Sequence, residues 1–203
     1  MKRRMSLVSK ALIGVGSLLG VGGLVLAGTR LLRTRELRSL LDLGDRRFLK
    51  AAAQDGIEEV EMGHLAQQRG TDEAVRSFGQ RLIQDHSKAN SELRALAFRK
   101  GFVPPGYTKP RQRAMLEKLA GVPQARFPRK FAACMIDMHE RAIALFQAAE
   151  RTGNDPEVRE FAGRTLPVLQ EHLRLAQELR DRARSQQTAE SGPVQDQQPG
   201  MLG

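Results

Sequence analysis

From about Asp45 to Arg184 the apolar residues recur at alternating three- and four-residue spacing, and the pattern is interrupted at three places only. That period matches the turn of an α-helix, and no apolar/polar alternation of the kind a half-buried strand needs competes with it. The interruptions fall at Gly70, at Gly101 with Pro104 and Pro105 beyond it, and at Gly153-Asn154. Glycine ends a helix cheaply, and a following proline cannot continue it. The spacing therefore predicts long helices over about 46–69, 73–100, 127–152 and 156–184. Thr71 or Asp72 caps the second of these. Asp155 caps the fourth, with Pro156 at its first position and Glu157 behind. Residues 102–125 hold only a short helical stretch, about 111–120.

Two short turns on either side of one long connection describe two helical hairpins joined by a crossover. Among four-helix bundles that is the ferritin-like arrangement, so the expected fold is an all-α ferritin-like four-helix bundle. Composition agrees. Aromatic residues are 4% of the 203, tryptophan is absent, and 40% of the chain is hydrophobic, so the core is built from Leu, Ala, Val, Ile, Met and Phe. Cys134 is the only cysteine. An internal disulfide framework, a multi-cysteine zinc site and an iron–sulfur cluster are thereby excluded.

The second and fourth helices carry an internal repeat. Val75-Arg-Ser-Phe78 matches Val158-Arg-Glu-Phe161, and Gln84-Asp85-His86 with Glu92-Leu93 matches Gln170-Glu171-His172 with Glu178-Leu179. Three extra residues separate the two blocks in the fourth helix, and Pro167 lies among them, where a missing hydrogen bond predicts a local irregularity.

Charge is uneven. Residues 1–50 hold 11 Lys/Arg against 3 Asp/Glu, and residues 51–203 hold 22 against 20, so the formal charge of +10 belongs to the N-terminus. Residues 11–29 are uncharged and flanked by Lys2, Arg3, Arg4 and Lys10 on one side and Arg30, Arg33, Arg35 and Arg38 on the other. As a helix this stretch would be roughly 28 Å long, enough to span the hydrocarbon core of a bilayer. Val25-Leu26-Ala27 also offers a signal-peptide cleavage site. The four arginines beyond it favour a retained anchor, because basic residues stay on the cytoplasmic side. Gly16 and Gly20 form one GxxxG pattern, which permits close helix association and hence a homo-oligomer. Residues 1–45 are thus expected to be a membrane anchor or signal segment containing a hydrophobic helix, residues 46–184 the bundle, and residues 185–203 a disordered tail rich in Gln, Ser, Gly and Pro. The basic flanks lack interleaved aromatics for stacking on bases, so lipid headgroups rather than nucleic acid are the expected partner.

Phe48-Leu-Lys-Ala-Ala-Ala, Glu59-Val60-Glu61-Met62-Gly63 with Leu65-Ala66, Phe78, Asp85-His86, His139, Thr165-Leu166-Pro167 and Glu171-His172-Leu173 together give residues 47–180 a pattern that resembles the bacterial domain-of-unknown-function family 4142. The resemblance implies a ferritin-like helical bundle, exported to the periplasm or anchored in the cell envelope, with no established chemistry.

One histidine stands on each predicted long helix. His86 fills a gap in the apolar line through Phe78 and Leu82, with Asp85 at its edge. His139 lies on the line through Met135 and Ala142, and His172 on the line through Leu169 and Ala176. On the first helix Glu59 falls on the inward line of Ala52, Gly56, Gly63 and Ala66, whereas His64 falls off it. All four inward residues lie near their helix midpoints and should share one layer. Glu59, His86, His139 and His172 therefore form a candidate metal site for Fe, Zn or Cu, with Asp85 and Glu171 as outer partners or alternative ligands. The di-iron pattern of Glu-x-x-His on two helices is not met, since Ile83 and Leu169 stand three residues before His86 and His172. The plainer reading makes the three histidines neutral core residues, hydrogen-bonded to Asp85, Glu171 or Glu59 and setting helix register. No catalytic residue is expected. Cys134 sits in an apolar run, and Ser87, His86 and Asp85, as neighbours on one helix, cannot face one another as a triad. The sequence puts first a non-enzymatic structural or interaction module of the bacterial envelope that binds another envelope protein. A metal-binding or redox bundle comes second.

Overall fold

The computed structural model describes residues 18–190, with side chains placed over residues 43–186. Residues 1–17 and 191–203 lie outside the described residues, and with them the start of the uncharged stretch, Gly16 of the GxxxG pattern and most of the expected tail. Five α-helices follow one another: α1 (Leu18–Arg69), α2 (Glu73–Arg99), α3 (Pro110–Ala120), α4 (Phe127–Thr152) and α5 (Pro156–Glu190). There is no strand among the described residues. The chain divides into two units between Leu41 and Asp42. The hydrophobic helix expected ahead of the bundle is not a separate element, and no helix among the described residues is long and apolar enough to cross a membrane. At the other end, α5 runs to Glu190, so the first six residues assigned to a disordered tail are helical.

The helix ends follow from local chemistry. The Asp72 carboxylate accepts from the Ala74 N–H at the start of α2, and the Asp155 carboxylate accepts from Glu157 N–H at the start of α5, each satisfying a donor that the first helical turn leaves open. At the end of α2, Gly101 adopts φ +68°. That left-handed conformation lets Phe102 N–H reach the Ala97 carbonyl and Gly101 N–H reach the Phe98 carbonyl, the paired bonds of a Schellman stop. Pro167 does not break α5. It sits on an exposed face, where its missing donor costs one backbone bond without opening the core.

Two apolar clusters fill the second unit. One joins Phe48, Leu49, Leu93, Leu96, Phe146, Phe161 and Leu169. The other joins Met62, Phe78, Leu82, Phe127, Phe131, Met135 and Leu179. Full burial of side chains of this size stabilises by about 1.5–3 kcal/mol each, so the two clusters dominate the fold. Their membership also gives the helix directions. The end of α2 shares a cluster with the beginning of α5, and the beginning of α2 with the end of α5, so these helices are antiparallel. By the same test α4 runs parallel to α2. The link from Arg99 to Phe127 therefore travels the length of the bundle, as expected of a crossover. It is held in place by Arg69, whose guanidinium donates to the Ala120 and Val122 carbonyls at 2.6 Å each.

Helices α1 and α2 approach closely at two glycines. A Cβ on Gly63 would lie 2.7 Å from the Gly79 carbonyl oxygen, and one on Gly79 would lie 2.7 Å from Ala66 Cβ. No side chain larger than hydrogen fits there without moving a helix.

Candidate metal centre

On every long helix the residue expected in the layer lies between the part that enters the first cluster and the part that enters the second. Glu59 lies between Ala53 and Met62, His86 between Leu82 and Leu93, His139 between Met138 and Ala142, and His172 between Leu169 and Ala176. The four residues form one layer across the middle of the bundle. All are buried, His139 and His172 completely. The three imidazole rings stand in a triangle with centroids 5.1 to 5.8 Å apart, and one ligating nitrogen from each lies within 4.8 Å of the others.

Each ring has one nitrogen tied to an acceptor outside the triangle. His86 Nδ1 is 3.0 Å from Glu59 Oε2. His139 Nδ1 donates to the Met135 carbonyl at 2.9 Å. His172 Nε2 is 3.0 Å from Asp85 Oδ2. The Met135 carbonyl can only accept. Asp85 is a carboxylate: burial works to raise its pKa, but hydrogen bonds from Arg81 and His172 outweigh it and bring it below the usual value. With those outer bonds made, the nitrogens left over are His86 Nε2, His139 Nε2 and His172 Nδ1.

The leftover nitrogens do not satisfy one another. His139 Nε2 and His172 Nδ1 are 3.2 Å apart, so the row from Met135 through His139 and His172 to Asp85 contains three contacts. Three hydrogen bonds need three protons, and two neutral imidazoles carry two. A third proton is disfavoured. Burial, and then the neighbouring His172, pushes the His139 pKa down to about 4. Burial also lowers that of His172, and His86 is held well below the ordinary value by burial and by the other two histidines. At neutral pH the rings therefore meet as two facing lone pairs. His86 Nε2 is buried with no hydrogen-bond partner at all.

Glu59 completes the layer. Its Oε2 faces His86, and its Oε1 lies 3.7 Å from His139 Nε2. Burial, reinforced by Asp55 and Glu58, raises its pKa well above the usual carboxylate value. Three buried lone pairs that face one another lack a proton or a positive charge between them. A divalent cation would supply that charge. In a tetrahedral zinc site with Zn–N near 2.0–2.1 Å, ligand nitrogens sit about 3.3 Å apart, which is the spacing already held by His139 and His172.

The other residues singled out in the sequence fall differently. Asp85 reaches the site, but through His172 rather than the adjacent His86, and it is anchored by Arg81 at 2.6 Å. Glu171, expected to be an outer partner or alternative ligand, acts on His172 only through its charge. Its carboxylate is held by Arg174 at 2.7 Å on the solvent side of α5, and His86 Nδ1, which it would have had to reach, is occupied by Glu59. His64 is exposed. Cys134 is half-buried, its thiol pushed up to about 11 by burial first and by Glu58 and Asp137 next, so it is not an activated nucleophile. Sequence reasoning missed two contributors: the Met135 carbonyl, signalled only by its place four residues before His139, and Arg81, four residues before Asp85.

Fold and site define a helical-bundle protein with a buried three-histidine layer. The chain belongs to the family described as Domain of unknown function (DUF4142), whose model matches residues 36–179. Among solved structures it is similar to a DUF305 fragment from Deinococcus radiodurans, with a TM-score of 0.62 and 18% identity, over 68% of this chain and 96% of that one. At that identity the likeness is one of fold. No curated protein matches the chain.

Proposed function

We propose that this protein is a ferritin-like four-helix bundle of the bacterial cell envelope that binds one divalent transition-metal ion through His86, His139 and His172, with Glu59 holding His86 Nδ1 from outside the ion's own shell. The observation that carries this reading is the orientation of the rings. Each histidine has one nitrogen engaged by a carboxylate or a backbone carbonyl, leaving the other toward its neighbours, which is how metal-ligating histidines are held. Imidazole nitrogen suits Zn, Fe or Cu. Burial of all three histidines keeps a substrate away from the ion, which favours holding or passing on a metal, or one-electron chemistry at it, over catalysis on a substrate. Export or anchoring follows from family membership and from the basic-flanked stretch 11–29, with lipid, a second copy of the chain or another envelope protein as partner.

Of the two readings drawn from sequence, the ring orientation supports the metal-binding one. In the plainer one the layer only sets helix register, and the His172–Asp85 hydrogen bond favours it. Metal analysis separates them. The full chain, purified without a histidine tag and exposed in turn to Fe, Zn and Cu, should retain close to one ion per chain by mass spectrometry, and the triple variant H86Q/H139Q/H172Q should retain none. A well-folded wild-type protein that holds no ion would leave the histidines as core hydrogen-bonding groups.

A further inference from the structure

The near-neutral total of residues 51–203 conceals an uneven layout of charge. Between Arg99 and Lys130, the end of α2, the crossover and the start of α4, stand nine Lys/Arg and a single acid, Glu117. Taking these from the 22 and 20 of residues 51–203 leaves 13 against 19 elsewhere. The same stretch carries most of the exposed apolar surface. Among the described residues Phe98, Val103, Tyr107 and Met115 are 77%, 79%, 64% and 43% exposed. Arg111, Arg113, Lys118, Arg126 and Lys130 are exposed as well and form no ion pair with a described carboxylate, whereas Arg99, Lys100 and Lys109 are paired with Glu157, Asp155 and Asp55.

The crossover is fixed to the bundle by its inner side. Thr108 and Leu119 are buried, Gln112 donates to Asp55 at 2.8 Å, and Arg69 holds the Ala120 and Val122 carbonyls. What stays exposed on it therefore faces away from α1 and α4. A cavity of about 800 Å³ lies beneath, between α1, α3 and α4, with Glu59 in its wall and Arg111, Met115 and Lys118 lining it from α3; its acids, Asp55, Glu58, Glu59 and Asp137, come from α1 and α4. We propose that the outer face of the crossover docks on an anionic lipid bilayer, with Val103, Tyr107 and Met115 entering the boundary between headgroups and acyl chains and Arg111, Arg113 and Lys118 meeting the phosphates. Lys and Arg beside open aromatic and aliphatic side chains make up an interfacial membrane surface, and tyrosine settles at that boundary with its ring in lipid and its hydroxyl in water. Nucleic acid calls for rings on which bases stack, and Val103 and Met115 offer none. The contact is distinct from anchoring by residues 11–29 and needs no metal.

Tyr107 is the only tyrosine and the chain has no tryptophan, so tyrosine fluorescence reports from the crossover alone. The full chain is mixed with vesicles of phosphatidylcholine, or of phosphatidylcholine and phosphatidylglycerol in equal parts, each with brominated acyl chains that quench a fluorophore touching them. Tyr107 should be quenched in the mixed vesicles and not in the neutral ones, and salt at about 1 M, which cuts the reach of charge to about 3 Å, should restore its emission. R111Q/R113Q/K118Q should lose the quenching, since each cation near an anionic surface contributes about fivefold in affinity. R94Q/R151Q/R182Q removes the same charge from exposed sites elsewhere on the bundle and should keep it. Quenching that is absent from both vesicles, equal in the two, or insensitive to salt would overturn the proposal, and these readings need no variant. A Tyr107 signal that responds to an oligothymidylate but not to brominated lipid would overturn it in favour of nucleic acid. The metal reading stands or falls separately, by metal analysis.

Discussion

Asp85 hydrogen-bonds His172 across the bundle, Oδ2 to Nε2 at 3.0 Å, and not His86, its neighbour in the chain. Asp85-His86 and Glu171-His172 are equivalent in the internal repeat, yet only the first acid supports a ring of the site. D85A should therefore weaken metal binding by about 10–100-fold, the usual cost of losing an outer carboxylate, whereas E171A should change it by less than about twofold. Competition with a chromophoric chelator measures both, and equal losses would show that Asp85 acts only through bulk charge.

In the metal-free protein the histidines make stability depend on pH. His139 titrates near 4 in the folded state, against 6.5 for an ordinary histidine. Between these values the unfolded chain binds a proton that the native one refuses, so stability is full above pH 6.5 and falls as the pH drops toward 4. His139 alone accounts for a loss on the order of 3 kcal/mol across that window. Urea titrations of chelator-treated protein at pH 7.5 and 4.5 should show it, and H139Q should reduce the difference, leaving the part that His86 and His172 contribute. Bound metal should be released over the same acidic range, because protons compete for its nitrogens.

Glu59 is expected to trade stability for binding. Burial keeps its pKa well above normal, so ionising it at neutral pH opposes folding. Glutamine retains the size and an oxygen to accept from His86 Nδ1. E59Q should stabilise the metal-free bundle by about 1–2 kcal/mol and weaken metal binding by at least about tenfold. Thermal melts with and without metal read both effects, and a drop in metal-free stability would contradict the account.

The glycine contact between α1 and α2 sets how near Glu59 and His86 stand. In G79A the new methyl group meets Ala66 Cβ at 2.7 Å and the Gly63 carbonyl at 2.8 Å, and neither is the end of a long side chain that can swing away. A loss of about 1–3 kcal/mol is expected, together with weaker metal binding. Substitution of Gly121, where the nearest atom is 3.7 Å away, serves as the control.

Asp45 is the buried acid that joins the first hairpin to the second. Its two oxygens accept from the backbone N–H groups of Asn154 at 3.2 Å and Asp155 at 2.8 Å. Removing it strands both donors at the start of α5. D45A should cost about 2 kcal/mol or more, seen as a lower denaturation midpoint with an unchanged m-value.

Much of the architecture was legible from the residues alone, because helix punctuation and apolar period are local properties. Gly70, Gly101 and the Gly153–Pro156 turn mark the helix ends to within a residue or two, and Asp72 and Asp155 cap as their positions require. The inward direction of Glu59, His86, His139 and His172 follows from spacing, and their common height from the helix midpoints. The end of α5 was misread, since Gln and Ser are weak evidence against a helix that has already been nucleated.

Tertiary structure decided the rest. A repeat makes Asp85 and Glu171 look alike, and only packing reveals that Arg174 claims one while His172 faces the other. Asp45 meets its partners more than a hundred residues away, and the cavity beside Glu59 exists only because the crossover is laid along α1 and α4. The proton shortage in the histidine layer is likewise invisible in sequence, since it depends on which atom of each ring meets which acceptor. Periodicity along one helix determines which way a side chain points; what it meets there is settled by the other three.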